Sequence, residues 1–352
     1  MSHVASHSCL PLTYRLNLER IARLSGVPRS IAARVIDNDP TICPATRENV
    51  LRVVRLLNYV PTAAVRSWSR TRAQVLGLVI PAAVAALFSD PHFAIFIQGV
   101  SAACAEYGHA VMLWVAEPEY ERRQIQQVVH GHAIDGVIVA SALIDDPLVD
   151  ELRQSRRPFV VVGRRPNDWQ TTSVDVDNSG GARAAVRHLL NLGRRCIATI
   201  TGPQNLIAGV DRLTGYRTAL REYGYPIDSA LIVDGGFSEH GGYRAMQQLL
   251  PRQPEAVFAA SDTMAIGALH AIREAGLRVP EDIALVGFDD TSLAARTDPP
   301  LTVVRQPARQ LGQLAVDLLL ELIEQPDAPP RCSVLPTELV VRESTGSATR
   351  EG

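Results

Sequence analysis

Residues 18–38 read LERIARLSGVPRSIAARVIDN, two short amphipathic runs hinged at a glycine. Leu18, Ile21, Ala22 and Leu24 recur at helical spacing, so the first run has one side to bury. Gly26 falls where the chain must turn sharply, a place where a residue without a Cβ is favoured. Val27 plugs that turn, and Pro28 suits the first position of a second helix, where its missing N–H costs nothing. The second helix runs to about Asp37, turning Ala32, Val35 and Ile36 inward and Arg29, Ser30, Ala33 and Arg34 outward. Taken alone, this helix-turn-helix pattern also fits a helix pair in any all-α protein.

Working outward, residues 1–16 read as a tail and Asn38-Asp39-Pro40 as a turn. A third helix is expected from about Pro44 to Leu57, with Val50, Val53, Val54 and Leu57 closing a small three-helix core. Pro61 discourages helical geometry in the residue before it and ends the 17–61 unit. Residues 62–74, TAAVRSWSRTRAQ, hold helix formers and three arginines without a broad apolar stripe, and read as a linker able to become helical.

From Val75 the texture changes. VLGLVIP, HAVMLWV, DGVIVAS, PFVVVGR, CIATITG, AVFAAS and IALVGFDD are short runs rich in Val and Ile. Amphipathic stretches at 94–107, 120–132, 179–192, 211–223, 240–250 and 263–275 separate them. Continuous apolar strands alternating with helices indicate parallel sheets buried on both faces. So many units exceed what one sheet usually carries, and two α/β subdomains are inferred over 75–342. The expected division is 75–174 with 303–333, and 175–302 with 334–342, leaving 343–352 as a tail. Ligands in open α/β sheets sit beyond the carboxyl ends of the strands, which here is the cleft between lobes.

Charge divides the chain in the same place. Residues 1–72 hold eleven arginines against four acids, whereas the remainder holds 24 arginines and 33 acids. A basic head on an acidic body suggests that the head alone meets a polyanion. No lysine occurs in the 352 residues, which a compositional bias of the source genome explains as well as any need for guanidinium. Five scattered cysteines without CxxC spacing imply neither a disulfide framework nor a zinc site and fit a reducing cytoplasm. Val75–Phe88 is too short an apolar run to span a bilayer and contains Pro81, and residues 1–16 lack the apolar core of a signal peptide. His130-Gly-His132 reads as surface or capping, so no metal and no cofactor is expected.

IARLSGVPRSIAARVIDN followed by PATRENVLRVVRLLNYVP resembles the DNA-binding head of the LacI/GalR repressor family. The resemblance continues through VDVDNSGGARAAVRHLLNLGRRCIATITGP, DRLTGYRTAL, ASDTMAIGALHAIREAGLRVPEDIALVGFDD and PPLTVVRQP, covering about Leu18 to Arg342. It implies an allosteric transcription regulator, most simply a repressor: a helix-turn-helix headpiece, a hinge helix, and a two-lobed core like periplasmic sugar-binding proteins. It also implies a cytoplasmic homodimer on a pseudo-palindromic operator, without the tetramerising tail of some members.

What the resemblance implies for residues follows from its motifs. Arg29, Ser30 and Arg34 would enter the major groove, where an arginine fork reads guanine O6 and N7. Arg34 matches a base-contacting arginine, while Arg29 could instead touch only phosphate. Thr46 and Arg47 would be phosphate ligands. Ile31 and Ala33 replace the usual hydroxyl residues, and Cys43 stands where a serine normally caps the third helix. Trp68 occupies the place of a minor-groove leucine wedge; it would insert with a larger ring or else pack on the core. For the effector, Arg212, Phe237, Ser261, Asp262 and Asp289 match ligand contacts on one lobe, with Asp90, His92, Phe93 and Arg164 facing them. An arginine, carboxylates and an aromatic suit a polyhydroxylated, sugar-like ligand. The competing readings are a solute-binding protein without DNA function and an enzyme. Against the enzyme, the chain has no Walker loop, nucleophile elbow or Gly-rich dinucleotide turn, and Asp289 and Asp290 are adjacent instead of posed as an acid/base pair.

Overall fold

A computed structural model describes residues 18–36, 39, 41–56, 73–80, 90–115, 133–155 and 157–346. The chain forms two compact units, one up to Ala73 and one from Gln74. The expected tail at 1–16, most of the linker at 62–74 and the helix at 120–132 lie outside the described residues.

In the first unit, α1 (Leu18–Ser25), α2 (Arg29–Ile36) and α3 (Pro44–Leu56) close around Ile21, Ala22, Ala32, Val35, Val50 and Val53. Leu24, expected in the buried face, is 55% exposed, and Ser25 takes the inward place one turn after Ile21. Helical geometry explains the exchange: Ile21, Ala22 and Ser25 are spaced i, i+1, i+4, whereas Leu24 falls off that stripe. The Ser25 hydroxyl donates to the Ile21 carbonyl (2.6 Å), so its burial leaves no unpaired donor. Gly26 has the left-handed φ of +66° that its turn requires. Asn49 Nδ2 then donates to the Ser25 carbonyl (2.7 Å), tying α3 to the end of α1.

The second unit begins with β1 (Val75–Ile80), α4 (Pro91–Glu106), β2 (Ala110–Val115), β3 (Gly136–Ala140), α5 (Pro147–Ser155), β4 (Phe159–Val162) and β5 (Ser173–Val176). It then passes through α6 (Asn178–Asn191), β6 (Ile197–Thr201), α7 (Ile207–Glu222), β7 (Ile232–Asp234), α8 (Glu239–Leu249), β8 (Ala256–Ala259), α9 (Asp262–Glu274), β9 (Ala284–Asp289) and β10 (Thr302–Arg305). Last come α10 (Ala308–Glu324), β11 (Cys332–Leu335) and β12 (Glu338–Val340). The described strands form two six-stranded sheets, β11-β5-β4-β3-β1-β2 and β12-β10-β9-β8-β6-β7. Every pairing is parallel except that of β12 with β10. Strands such as β3 and β8 are buried at every position, the signature of sheets covered on both faces.

Among the described residues the chain passes between sheets three times, after β5, after β10 and after β11. These crossings fall two to three residues later than the expected divisions: all of β10 stays in the second sheet and all of β11 in the first. A Val-rich run announces a strand, but the sheet it joins depends on its pairing partner. Residues 343–346 also depart from the expected tail. Ser344 and Thr345 are buried, the Ser344 hydroxyl donates to the Leu285 carbonyl (2.6 Å), and Thr302 N–H donates to Ser344 Oγ (2.8 Å). Short hydroxyl side chains look like surface until the neighbours that accept from them are known.

Helices α4 and α10 cross at a paired glycine contact. A Cβ on Gly99 would lie 2.1 Å from the Arg309 carbonyl oxygen, and one on Gly312 would lie 2.5 Å from that of Phe96. Backbone cannot yield there as a flexible side chain would. Gly99→Ala should therefore destabilise the core by about 1–3 kcal/mol, measured as a lower denaturant midpoint at unchanged slope.

Candidate functional site

Two surfaces gather the sequence-expected residues. On the headpiece, Arg29, Ser30 and Arg34 are exposed at the start and last turn of α2. The Arg34 guanidinium is held in place: Nε donates to Asp39 Oδ2 (2.7 Å) and Nη2 to Thr41 Oγ1 (2.6 Å). The Thr41 hydroxyl and amide, then Arg34, hold the Asp39 carboxyl down at about 2, so it is ionised at neutral pH. Arg47 donates to the Asp39 carbonyl, which places two of the expected DNA-contacting arginines on one turn. Cys43 lies beside α3, its Sγ 3.0 Å from Thr46 Oγ1. The Thr46 hydroxyl and amide lower its thiol pKa, so the sulfur takes up the capping place that a serine would fill. Trp68 lies outside the described residues.

In the second unit, a cavity of about 420 Å³ opens where the carboxyl ends of the two sheets' strands meet. Asp90, His92 and Phe93 at the head of α4 line it from one side. Arg212, Phe237, Ser261 and Asp289 line it from the other. Arg164 and Asp262 are not part of this wall. Asp262 is buried behind Ser261, with Oδ2 accepting from the Thr291 amide (2.6 Å). Burial and the neighbouring Asp289 charge raise its carboxyl well above the ordinary value.

Arg212 is the centre of the cavity floor. It sits on α7, only 5% exposed, with its guanidinium carbon 3.7 Å from the centroid of the Phe288 ring and 5.7 Å from that of Phe237. Nε donates to Asn178 Oδ1 (2.9 Å), and Nη1 donates to the Ala260 carbonyl (2.6 Å) and more distantly to Asp289 Oδ1 (3.5 Å). Desolvation pulls its pKa down while Asp289 and other aspartates raise it, and a guanidinium remains charged throughout. Burial pushes the Asp289 carboxyl up to about 6 against the opposing effects of Arg212 and His92. Asp289 also accepts from Gln306 Nε2, and its φ of +123° is rare for a residue with a side chain. Its neighbour Asp290 turns away, accepting from Arg305 Nε (2.6 Å) and Arg342 Nη2 (2.5 Å) in a structural ion-pair cluster.

The polar wall residues Ser141, Asp175, Asn178, Asn205 and Gln306 were missed from the sequence. Each lies in or just after a Val- or Ile-rich strand, so a polar residue at a strand's carboxyl end was the available signal. Among the described residues no His, Cys, Asp and Glu cluster is arranged to hold a metal, and no helix is long and apolar enough to cross a membrane.

Residues 17–62 match the family described as bacterial regulatory proteins, lacI family, and residues 186–345 match the periplasmic binding protein-like domain. The HTH-type transcriptional regulator CelR of Thermobifida fusca is 41% identical over 94% of this chain and 98% of its own length. The ribose operon repressor of Escherichia coli K12 is 33% identical over 88% of this chain and 93% of its own length. A solved transcriptional regulator CelR-cellobiose complex superposes with a TM-score of 0.75 at 40% identity, covering 94% of this chain and all of that one. A lac repressor dimer bound to operator and the anti-inducer ONPF gives a TM-score of 0.78 at 27% identity, covering 94% and 99%. A solute-binding protein without DNA function is set aside by the match over 17–62.

The raised Asp289 pKa has a thermodynamic consequence. The folded core holds this proton more tightly than the unfolded chain, so the stabilisation it brings is complete below 3.8 and lost as pH rises through about 6. Asp289→Asn should flatten the ligand-free stability profile between those values by about 3 kcal/mol, read from denaturant midpoints at several pH values.

Proposed function

The chain belongs to the lacI family of bacterial regulatory proteins, and we propose that it represses transcription from a pseudo-palindromic operator under the control of a sugar. The carrying observation is the buried Arg212–Asp289 pair at the floor of a cavity walled by the strand ends of both sheets. A fixed guanidinium and carboxylate present donor and acceptor side by side, which matches the alternating hydroxyls of a pyranose. Its partners occupy Nε and Nη1, so Nη2 is the arm offered to a ligand. Phe237 supplies an apolar face for a ring, and Asp90, His92 and Ser261 supply further polar contacts from both lobes. Cellobiose, found in the complex of the CelR relative, is the first sugar to try.

On DNA, Arg34 reads a guanine with the part of its fork that Asp39 and Thr41 leave over, and those two residues aim it before contact. Arg29 and Ser30 contact the groove nearby, while Thr46 and Arg47 anchor the backbone. Trp68 acts as the minor-groove wedge. Two headpieces of a homodimer occupy half-sites about one helical turn apart, ~34 Å, in the cytoplasm. The reading involves no enzymatic step.

Two measurements test this. Against the DNA upstream of its own gene, Arg34→Ala should weaken binding by about 1–3 kcal/mol and lose preference at one base pair, in gel shifts on single-base operator variants. Equal affinity for all such variants by the parent protein would overturn specific reading. In calorimetry with cellobiose and a panel of related sugars, the parent should bind one of them; Arg212→Lys, which keeps charge but loses the planar fork, should reduce that affinity by tenfold or more.

A further inference from the structure

Arg164 does not reach into the cavity; it reaches across to the other lobe. It follows β4 of the first sheet, and its guanidinium faces the carboxylate of Asp211, carried by α7 of the second lobe. Nη2 donates to Asp211 Oδ1 at 2.9 Å while Nη1 engages Oδ2, a forked pair. Nη1 also donates to Asp175 Oδ2 on β5 at 3.2 Å. Both acceptors are nearly buried, their side chains 10% and 5% exposed, while the Arg164 side chain that bridges them is 42% exposed.

A second observation gives the pair its meaning. Asp175 Oδ1 accepts from Asn178 Nδ2 (3.0 Å), and Asn178 Oδ1 accepts from Arg212 Nε (2.9 Å). The polar chain Asp211–Arg164–Asp175–Asn178–Arg212 thus leaves α7, enters the first lobe and returns to the next residue of the same helix. The lobes meet closely beside it: a Cβ on Gly163 would lie 3.2 Å from Ile207 Cγ2, and Ile144 N–H donates to the Asn205 carbonyl (2.9 Å) across the cleft.

We propose that Arg164 is an inter-lobe latch, a positioning residue that holds the two lobes closed over the cavity through Asp211 and braces the cavity wall through Asp175. Separating the lobes breaks the Arg164–Asp211 fork and leaves Asp175, on the same lobe as Arg164, as its remaining carboxylate, which changes the hold of Asp175 on Asn178 under Arg212. Effector capture and lobe closure are then coupled by a contact that touches no effector atom. The inference rests on reading the cavity as the effector site, but its test does not require a bound sugar.

The amide of Ile144 reports closure, because its acceptor belongs to the other lobe. In the full-length, ligand-free protein, Asp211→Asn keeps the side-chain size and removes the charge, while Arg164→Lys keeps the charge and removes the fork. Each should speed hydrogen exchange at Ile144 by about three- to tenfold, and the double variant no further than the stronger single one. Amides within β3 and β6 should exchange as in the parent, which a general loss of stability would not allow. Unchanged exchange at Ile144 in both single variants, or effects that simply multiply in the double, would overturn the latch. So would acceleration equal to that at Ile144 throughout β3 and β6. A parallel titration with cellobiose should show weaker binding in both variants. Failure of the parent to bind any sugar would sink the effector reading alone, since the exchange result is obtained without ligand.

Discussion

A guanidinium with almost no access to water organises the second unit. Arg212 would be intolerable in an apolar interior, and it is tolerated because three segments converge on it with acceptors. Asn178 comes from the first crossing between sheets, the Ala260 carbonyl from the end of β8, and Asp289 from the end of β9. The Phe288 ring covers one face of the charge. Gln306, at the second crossing, braces Asp289 in turn. The polar network therefore reaches two of the segments that cross between the sheets.

The same chemistry serves two ends within two residues. Asp289 and Asp290 both have positive φ, and the turn they make sends one carboxylate into the cavity and the other toward Arg305 and Arg342. The first is held protonated more readily than an ordinary aspartate by burial, while the second is lowered by two arginines. Local backbone shape separates a cavity-lining carboxylate from a structural ion pair where the side chains are identical. In the headpiece, Asp39 has the comparable part of orienting Arg34, whose own role lies outward.

Much of this was legible in the residues. The periods of 18–56 announced a three-helix head, and the Val-rich runs announced parallel strands with their helices close to where they lie. Arg212, Phe237, Ser261 and Asp289 were picked out by resemblance to a family's ligand-contact motifs, and all four line the cavity, Arg212 from α7 and the others at or just after strand ends. Leu24 went wrong because composition marks it as core while its angle on α1 does not. Asn178 and Gln306 escaped because a lone amide after a strand carries no periodic signal; its importance comes from a partner many positions away.

Local sequence pattern determined the elements, the boundary between a basic head and an acidic core, and the side of the sheets where a ligand belongs. Those properties depend on spacing along one chain, on dihedral preference and on net charge. Tertiary structure alone decided which sheet each late strand joins, that Ser344 and Thr345 are interior, and that Arg164 spans the lobes instead of facing a ligand. A charged side chain goes to whichever opposite charge its fold brings within reach, and for Arg164 that charge is 47 residues away.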